Sequence, residues 1–321
     1  MKQLSIIIPV YNVENYIREC LDSIFRQGLA DSDFEIILVN DGTPDNSIEV
    51  VSQMLSLHNN ITILNQENKG VSTARNAGFN VSQGKYVYFM DSDDLLVDNA
   101  LSILLPVATS FSKDILLADY CRFKDGDDYT SLLHREQHYS GCLKSGEEAY
   151  LEDLNPYECY VWKMLIRRDF LNENDIYFKP FGYEDILFCQ ECLIKADSVV
   201  KANYQLYLYR LRSNSFTSSM NLSKMLDLNS CLSSLMRLND TVSMSAVVKK
   251  RLKNNIHTSF SYGIWCITHN EDIYKVRRTI VSDLKTKIQP SQFMFYGSIK
   301  QLLVSVMFRF MPFFYMSLRR I

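Results

Sequence analysis

In its first ninety residues the chain alternates between two hydrophobic periods, and this alternation restricts its fold more than any other feature. LSIIIPV is a continuous apolar run ending at Val10, the pattern of a strand covered on both faces. NVENYIRECLDSIFRQG then puts Ile17, Leu21, Ile24 and Phe25 on one helical face, with Asn12 available to cap the helix and Gly28 to end it. FEIILVN is followed by IEVVSQMLSLH, ITILNQ by VSTARNAGFNVSQG, and KYVYFM makes a fourth strand. The pattern predicts an α/β fold built of right-handed βαβ units, with helices on both faces of a mainly parallel sheet.

Such sheets gather ligands at the carboxyl ends of their strands. The residues there are Tyr11 and Asn12, Asp41 and Gly42, Gln66 to Lys69, and the run Asp91, Ser92, Asp93, Asp94. Three aspartates within four residues repel one another. Taken alone the run has two readings, a solvated turn or hard oxygen ligands for a divalent cation; its position after the fourth strand favours the ligand reading.

Beyond Lys113 the alternation is irregular. ILLADYCRF reads as a strand, SGEEAYLEDL as a helix opened by a capping box of Ser145 and Glu148, VWKMLIRRDFL and EDILFCQECLIKA as helices, and SVVKANYQLYLYRLR as a strand. After Ser218 the pattern is helical, over Leu222–Leu238 and Val247–Ile267. The last stretch, GSIKQLLVSVMFRFMPFFYMSLRRI, is broken by Lys300, Arg309, Pro312, Arg319 and Arg320, which makes it a poor membrane span. It suits a helix lying on an anionic leaflet, and equally a helix docked on protein.

With 47% hydrophobic and 22% charged residues the chain can bury a large core, and its net charge of -3 provides no basic field for nucleic acid. Eight scattered cysteines and a start unlike a secretory signal lead to the expectation of a reducing cytoplasm. Cys189 and Cys192 form a lone C-x-x-C in mid-helix, a packing pattern, and His134 and His138 lie in a polar connector. Neither G-x-G-x-x-G nor a G-x-x-x-x-G-K phosphate loop is present.

SIIIPVYNVENYIRECLDSI, ILVNDGTPDNS, NKGVSTARNAGF, YVYFMDSDD and FGYEDILF, in this order, resemble an inverting glycosyltransferase of family 2 of the bacterial polysaccharide-biosynthesis type, which has the GT-A fold. The resemblance covers roughly the first 215 residues. It implies a GT-A domain over 1–215, with a nucleotide-binding half at 1–112 and an acceptor-binding half at 113–215. A helical region is expected to follow over 216–321, in which the stretch near 298–321 is either the membrane-surface helix or the docked one. It also implies transfer of a sugar from a nucleotide-diphosphate donor to a saccharide hydroxyl. UDP is the preferred carrier, with guanosine and thymidine donors left open. By analogy the acceptor is lipid-linked, in capsule or O-antigen assembly at the inner face of the plasma membrane.

The resemblance distributes the roles. Pro9, Val10, Tyr11 and Asn12, with Glu14 nearby, line a nucleoside pocket in which Asp41 accepts from a base N–H. Lys69 and Arg75, near the start of the third helix, suit phosphate. Asp91 falls to the ribose, Ser92 lies beside it, and Asp93 falls to Mn2+ or Mg2+. Asp94 either orients its neighbours or caps a helix beginning at Leu95. Asp185 is the implied general base and Glu184 its support. Trp162 and Lys163 face the acceptor, though Trp162 equally suits a core, and Arg210 with Arg212 makes a second diphosphate clamp. The rival enzyme, an aspartate-nucleophile phosphohydrolase, carries its D-x-D after the first strand, whereas here it follows the fourth. A non-catalytic nucleotide-sugar-binding scaffold is the other alternative.

Overall fold

The computed structural model describes residues 2–55, 58–110, 112–212 and 220–288, together with Pro312. The segment expected at a membrane surface near 298–321 and the expected boundary at 215/216 lie outside the described residues, Pro312 excepted. The chain forms two compact units, one of residues 1–180 and 188–213, the other of 181–187 and 214–321.

The first unit begins with β1 (Leu4–Val10), α1 (Ile17–Phe25), β2 (Phe34–Asp41), α2 (Ser47–Leu55), β3 (Ile61–Gln66), α3 (Val71–Val81) and β4 (Tyr86–Phe89). It continues through the two-residue β5 (Leu95–Leu96), α4 (Ala100–Ser110), β6 (Ile115–Lys124), α5 (Thr130–Leu133), β7 (Gly141–Lys144) and α6 (Gly146–Glu152). A single 3-10 turn (Val161–Lys163), β8 (Met164–Arg167), α7 (Arg168–Glu173), α8 (Glu184–Lys195) and β9 (Val199–Leu211) follow, with the first turn of α8 in the second unit.

One mixed sheet runs in the order β3-β2-β1-β4-β8-β6-β9-β5, with β7 also paired to β9. The pairs of β1 with β2 and β4, of β2 with β3 and of β6 with β9 are parallel, while β8 is antiparallel to both β4 and β6. Hence β1, β2, β3, β4, β6 and β9 all point the same way. All seven residues of β1 and all four of β4 are buried, as their unbroken apolar runs require. Gly78 lets α3 press onto this sheet, since a Cβ there would meet Ile7 Cγ2 at 2.5 Å and Val39 Cγ2 at 3.2 Å.

The second unit contains α9 (Leu222–Thr241), α10 (Ala246–His269), α11 (Glu271–Lys275) and α12 (Arg277–Lys287). Asn221, Ser245 and Asn270 each accept an N–H in the first turn of the helix that follows them. Buried Asn229 on α9 donates to the Ile280 carbonyl and to Asp283, tying α9 to α12. Among the described residues no helix is long and apolar enough to cross a membrane.

Three local expectations are corrected. VWKMLIRRDFL is a 3-10 turn, a strand and a short helix, because Met164–Ile166 sits between β4 and β6 and is buried on both faces. Such a run has no period of its own and also fits helical spacing. Asn12 does not cap α1. That helix starts at Ile17 without a side-chain cap, and Asn12 lies apart from it at a φ of 55°. Nor does Asp94 cap a helix, since Leu95–Leu96 pairs with β9 and the next helix opens at Ala100. The Ser145–Glu148 capping box is present as expected.

Candidate active site

The strand directions bring the carboxyl ends of β1, β2, β4, β6 and β9 to one edge of the sheet. At the β1 end, Pro9 and Val10 are buried and Tyr11 is 47% exposed. The loops after β1 and β2 are stitched together there. The Asn12 N–H donates to Thr43 Oγ1 (2.8 Å), the Val13 N–H to Ser47 Oγ (3.1 Å), and the Glu14 N–H to Asp45 Oδ2 (2.8 Å). Glu14 Oε2 accepts from the N–H and side-chain amide of Asn46, so this carboxylate braces the loop. Asp45 is a residue the sequence reading missed inside the turn DGTPDNS. Its Oδ1 accepts from Thr43 Oγ1 and from Ser47 N–H and Oγ. Partial burial alone would push its carboxyl up, but the Ser47, Thr43 and Glu14 hydrogen bonds prevail and bring it down to about 2.

Asp41, at the end of β2, is buried and holds the approach to α3. Its Oδ1 accepts from Gln66 Nε2 (2.7 Å) and Lys69 N–H (2.8 Å), and its Oδ2 from Gly70 N–H (2.8 Å). Gly70 takes a φ of 85°, open to glycine at little cost. Lys69 is exposed. Arg75, expected near phosphate, is buried in α3, donates from Nη2 to Asp91 Oδ1 (2.8 Å) and lies 5.1 Å from the Phe178 ring centroid.

The four residues after β4 have separate environments. Asp91 pairs with Arg75, and its N–H donates to the Tyr207 hydroxyl (3.2 Å). Ser92 is buried. Asp93 forms an ion pair with Arg212, and its carbonyl accepts from Arg210 Nε (2.8 Å). Asp94 is fully buried, taking the Tyr207 hydroxyl on Oδ2 (2.8 Å) and the Arg210 N–H on Oδ1 (2.7 Å). Burial first, then the charges of Asp93 and Asp91, push the Asp94 carboxyl well up. Burial and Asp91 also raise Asp93, against the opposing pull of Arg212.

Arg210, expected as a clamp, is 5% exposed. Besides the Asp93 carbonyl it serves Asp125 Oδ1 (3.1 Å) and Glu19 Oε2 (2.7 Å), with its guanidinium near the rings of Tyr16 and Phe123. It therefore braces the loop, and Arg212 is the arginine that meets the Asp93 carboxylate. Trp162 is packed in the core, stacked on Tyr207 (4.2 Å, 6°) and Tyr160 (4.5 Å, 9°). Lys163 Nζ sits 5.5 Å from the Tyr120 ring centroid.

Glu184 and Asp185 form the first turn of α8, within the second unit. Tyr183, just before them, has a φ of 63°. In that unit its carbonyl accepts from Cys231 Sγ (3.6 Å) and its hydroxyl donates to Met220 Sδ (3.7 Å), which fixes the approach to the turn.

Among the described residues no group of three or more His, Cys, Asp or Glu side chains is arranged to hold a metal. All three carboxylates of the run have partners, Asp91 in Arg75, Asp94 in Tyr207 and the Arg210 N–H, and Asp93 in Arg212; of these partners the Arg212 guanidinium is a partly exposed cation, so a divalent cation fits on Asp93 in its place. One carboxylate completed by phosphate oxygens and water suits magnesium or manganese, and the burial and neighbouring negative charges that raise Asp93 and Asp94 favour added positive charge.

The family model "Glycosyl transferase family 2" matches residues 5–173. The uncharacterized glycosyltransferase EpsJ of Bacillus subtilis is 34% identical over 225 residues, 67% of this chain and 62% of that protein. Glycosyltransferase GlyA of Streptococcus pneumoniae is 31% identical over 222 residues, 67% of this chain and 31% of that protein. Part of each relative thus extends beyond the match. S. aureus TarS 1-349 in complex with UDP-GlcNAc has a TM-score of 0.73 at 18% identity, covering 99% of this chain and 88% of that one. The mannosyltransferase PcManGT from Pyrobaculum calidifontis, in complex with GDP-Man and Mn2+, has a TM-score of 0.58 at 12% identity, covering 97% and 88%. These two share its fold. With a family match over more than half its length and the expected mainly parallel sheet, the chain belongs to glycosyl transferase family 2 and has the GT-A fold.

Proposed function

We propose that the protein is an inverting glycosyltransferase that moves a sugar from a nucleotide-diphosphate donor, a UDP-sugar by preference, to a hydroxyl of a lipid-linked saccharide in surface polysaccharide assembly. The observation that carries this reading is the shared sheet edge, along which Tyr11 and Asn12 follow β1, Asp41 ends β2 and Asp91 to Asp94 follow β4. Support for uridine comes from TarS, solved with UDP and with UDP-GlcNAc. In the proposed division, 1–215 is the transferase domain and 216–321 a helical region touching the inner leaflet near 298–321.

On this reading the base lies on Tyr11 and the backbone of Pro9 and Val10, and Asp41 accepts a base N–H on a lone pair left by its three hydrogen bonds. Asp91, oriented by Arg75, meets the ribose. Lys69 and Arg212 face the diphosphate. A divalent cation on Asp93 would supply positive charge to the departing nucleoside diphosphate. Asp185, steadied by Glu184, takes the proton of the acceptor hydroxyl as that oxygen bonds to the anomeric carbon. The bond from this carbon to the phosphate oxygen breaks with its electron pair leaving on the phosphate, so one displacement inverts the centre.

A thermal-shift panel of UDP-, GDP- and dTDP-sugars with Mn2+ tests the donor, because a specific ligand stabilises the fold by mass action. Asp185→Asn is expected to keep the donor-induced shift and lose at least about a hundredfold in transfer, the lower range for a general base. Equal turnover in that variant would remove Asp185 from the mechanism.

A further inference from the structure

Arg212 and Arg210 stand two residues apart at the end of β9 and have different surroundings. Arg210 is 5% exposed and held by Asp93 O, Asp125 and Glu19. Arg212 keeps a side-chain exposure of 24%, and its guanidinium carbon lies 4.9 Å from the Tyr16 ring centroid while Nη2 pairs with the Asp93 carboxylate. The Asp93 side chain is only 18% exposed, leaving little room for two cations on one carboxylate.

We infer that Arg212 competes with a divalent cation for Asp93 and so couples metal binding to donor binding. The inference rests on the assignment of Asp93 to the metal. A guanidinium and a divalent cation within a few ångströms of one carboxylate repel each other, so one displaces the other. Once displaced, the guanidinium is a planar fork suited to two phosphate oxygens. Metal and nucleoside diphosphate then favour the same position of Arg212. Two ligands that favour one state strengthen each other reciprocally.

The test is Mn2+ binding followed by the EPR signal of the free ion, without nucleotide and then with UDP, on wild type, Arg212→Gln and Asp93→Asn. Arg212→Gln is expected to bind Mn2+ alone about fivefold more tightly than wild type, the size of a partly exposed ion pair, and to gain less from UDP. The inference is overturned if Arg212→Gln binds Mn2+ alone no more tightly, or if UDP tightens Mn2+ equally in both proteins. Should Arg212→Gln unfold, Arg212→Lys replaces it: the retained charge predicts wild-type affinity for Mn2+ alone, and the lost fork predicts weaker coupling to UDP. Equal coupling in that variant overturns the inference too. If Asp93→Asn binds Mn2+ as wild type does, the metal assignment has failed and the inference with it.

Discussion

Asp45 joins the two loops that lead away from β1 and β2, and it does so as an anion. Its folded carboxyl lies at about 2, below the ordinary carboxylate value. Because the folded value is the lower one, the contribution to stability is present above about pH 4 and is lost as the pH falls toward 2. Asp45→Ala is expected to cost about 1 kcal/mol at pH 7, the linkage value reduced for solvent screening of a partly exposed carboxylate, and almost nothing near pH 2, read as urea midpoints across that range. An equal loss at both ends would mean that the hydrogen bonds do not depend on the charge. The sequence marked where Asp91, Asp93 and Asp94 stand but not what each would meet. Tyr207 and Arg210, which receive Asp94, follow more than a hundred residues later, and no local pattern announces such a pairing. The same distance hid the different roles of Arg210 and Arg212, which look equivalent as YRLR.

At the scale of elements, the strands of the donor half were legible because β1, β2 and β4 are short apolar runs bounded by polar turns, with amphipathic helices between them. The strand β8 was not. It is inserted antiparallel between β4 and β6, so its neighbours and not its own spacing make it a strand. In the sequence the glycine of ARNAGF stands out only as part of a motif, yet its packing fixes how closely α3 meets β1 and β2. Gly78→Ala sets its new methyl against Ile7 and Val39 on two strands buried on both faces. The expected loss is about 1–3 kcal/mol from overpacking, measured by chemical denaturation. A neutral or stabilising result would show that the helix can retreat from the sheet.

For the whole molecule, the residues proposed for the donor all lie in the first unit, while Asp185 belongs to the short segment 181–187 that groups with the C-terminal helices. A linear division at residue 215 could not foresee this, because periodicity records order along the chain and not the return of a distant segment. The division also bears on the basic and aromatic stretch at the C-terminus, where Lys300, Arg309, Arg319 and Arg320 punctuate an apolar run. Basic residues near an anionic leaflet contribute about 1 kcal/mol each, enough together with apolar burial to hold a protein at a surface. Truncation after Ser298 is expected to shift the protein from sedimented anionic vesicles into the supernatant, with the UDP-sugar thermal shift retained because the donor residues are untouched. Unchanged sedimentation would favour a helix docked on protein. Loss of the donor shift would instead mean that the segment supports the fold of the transferase itself.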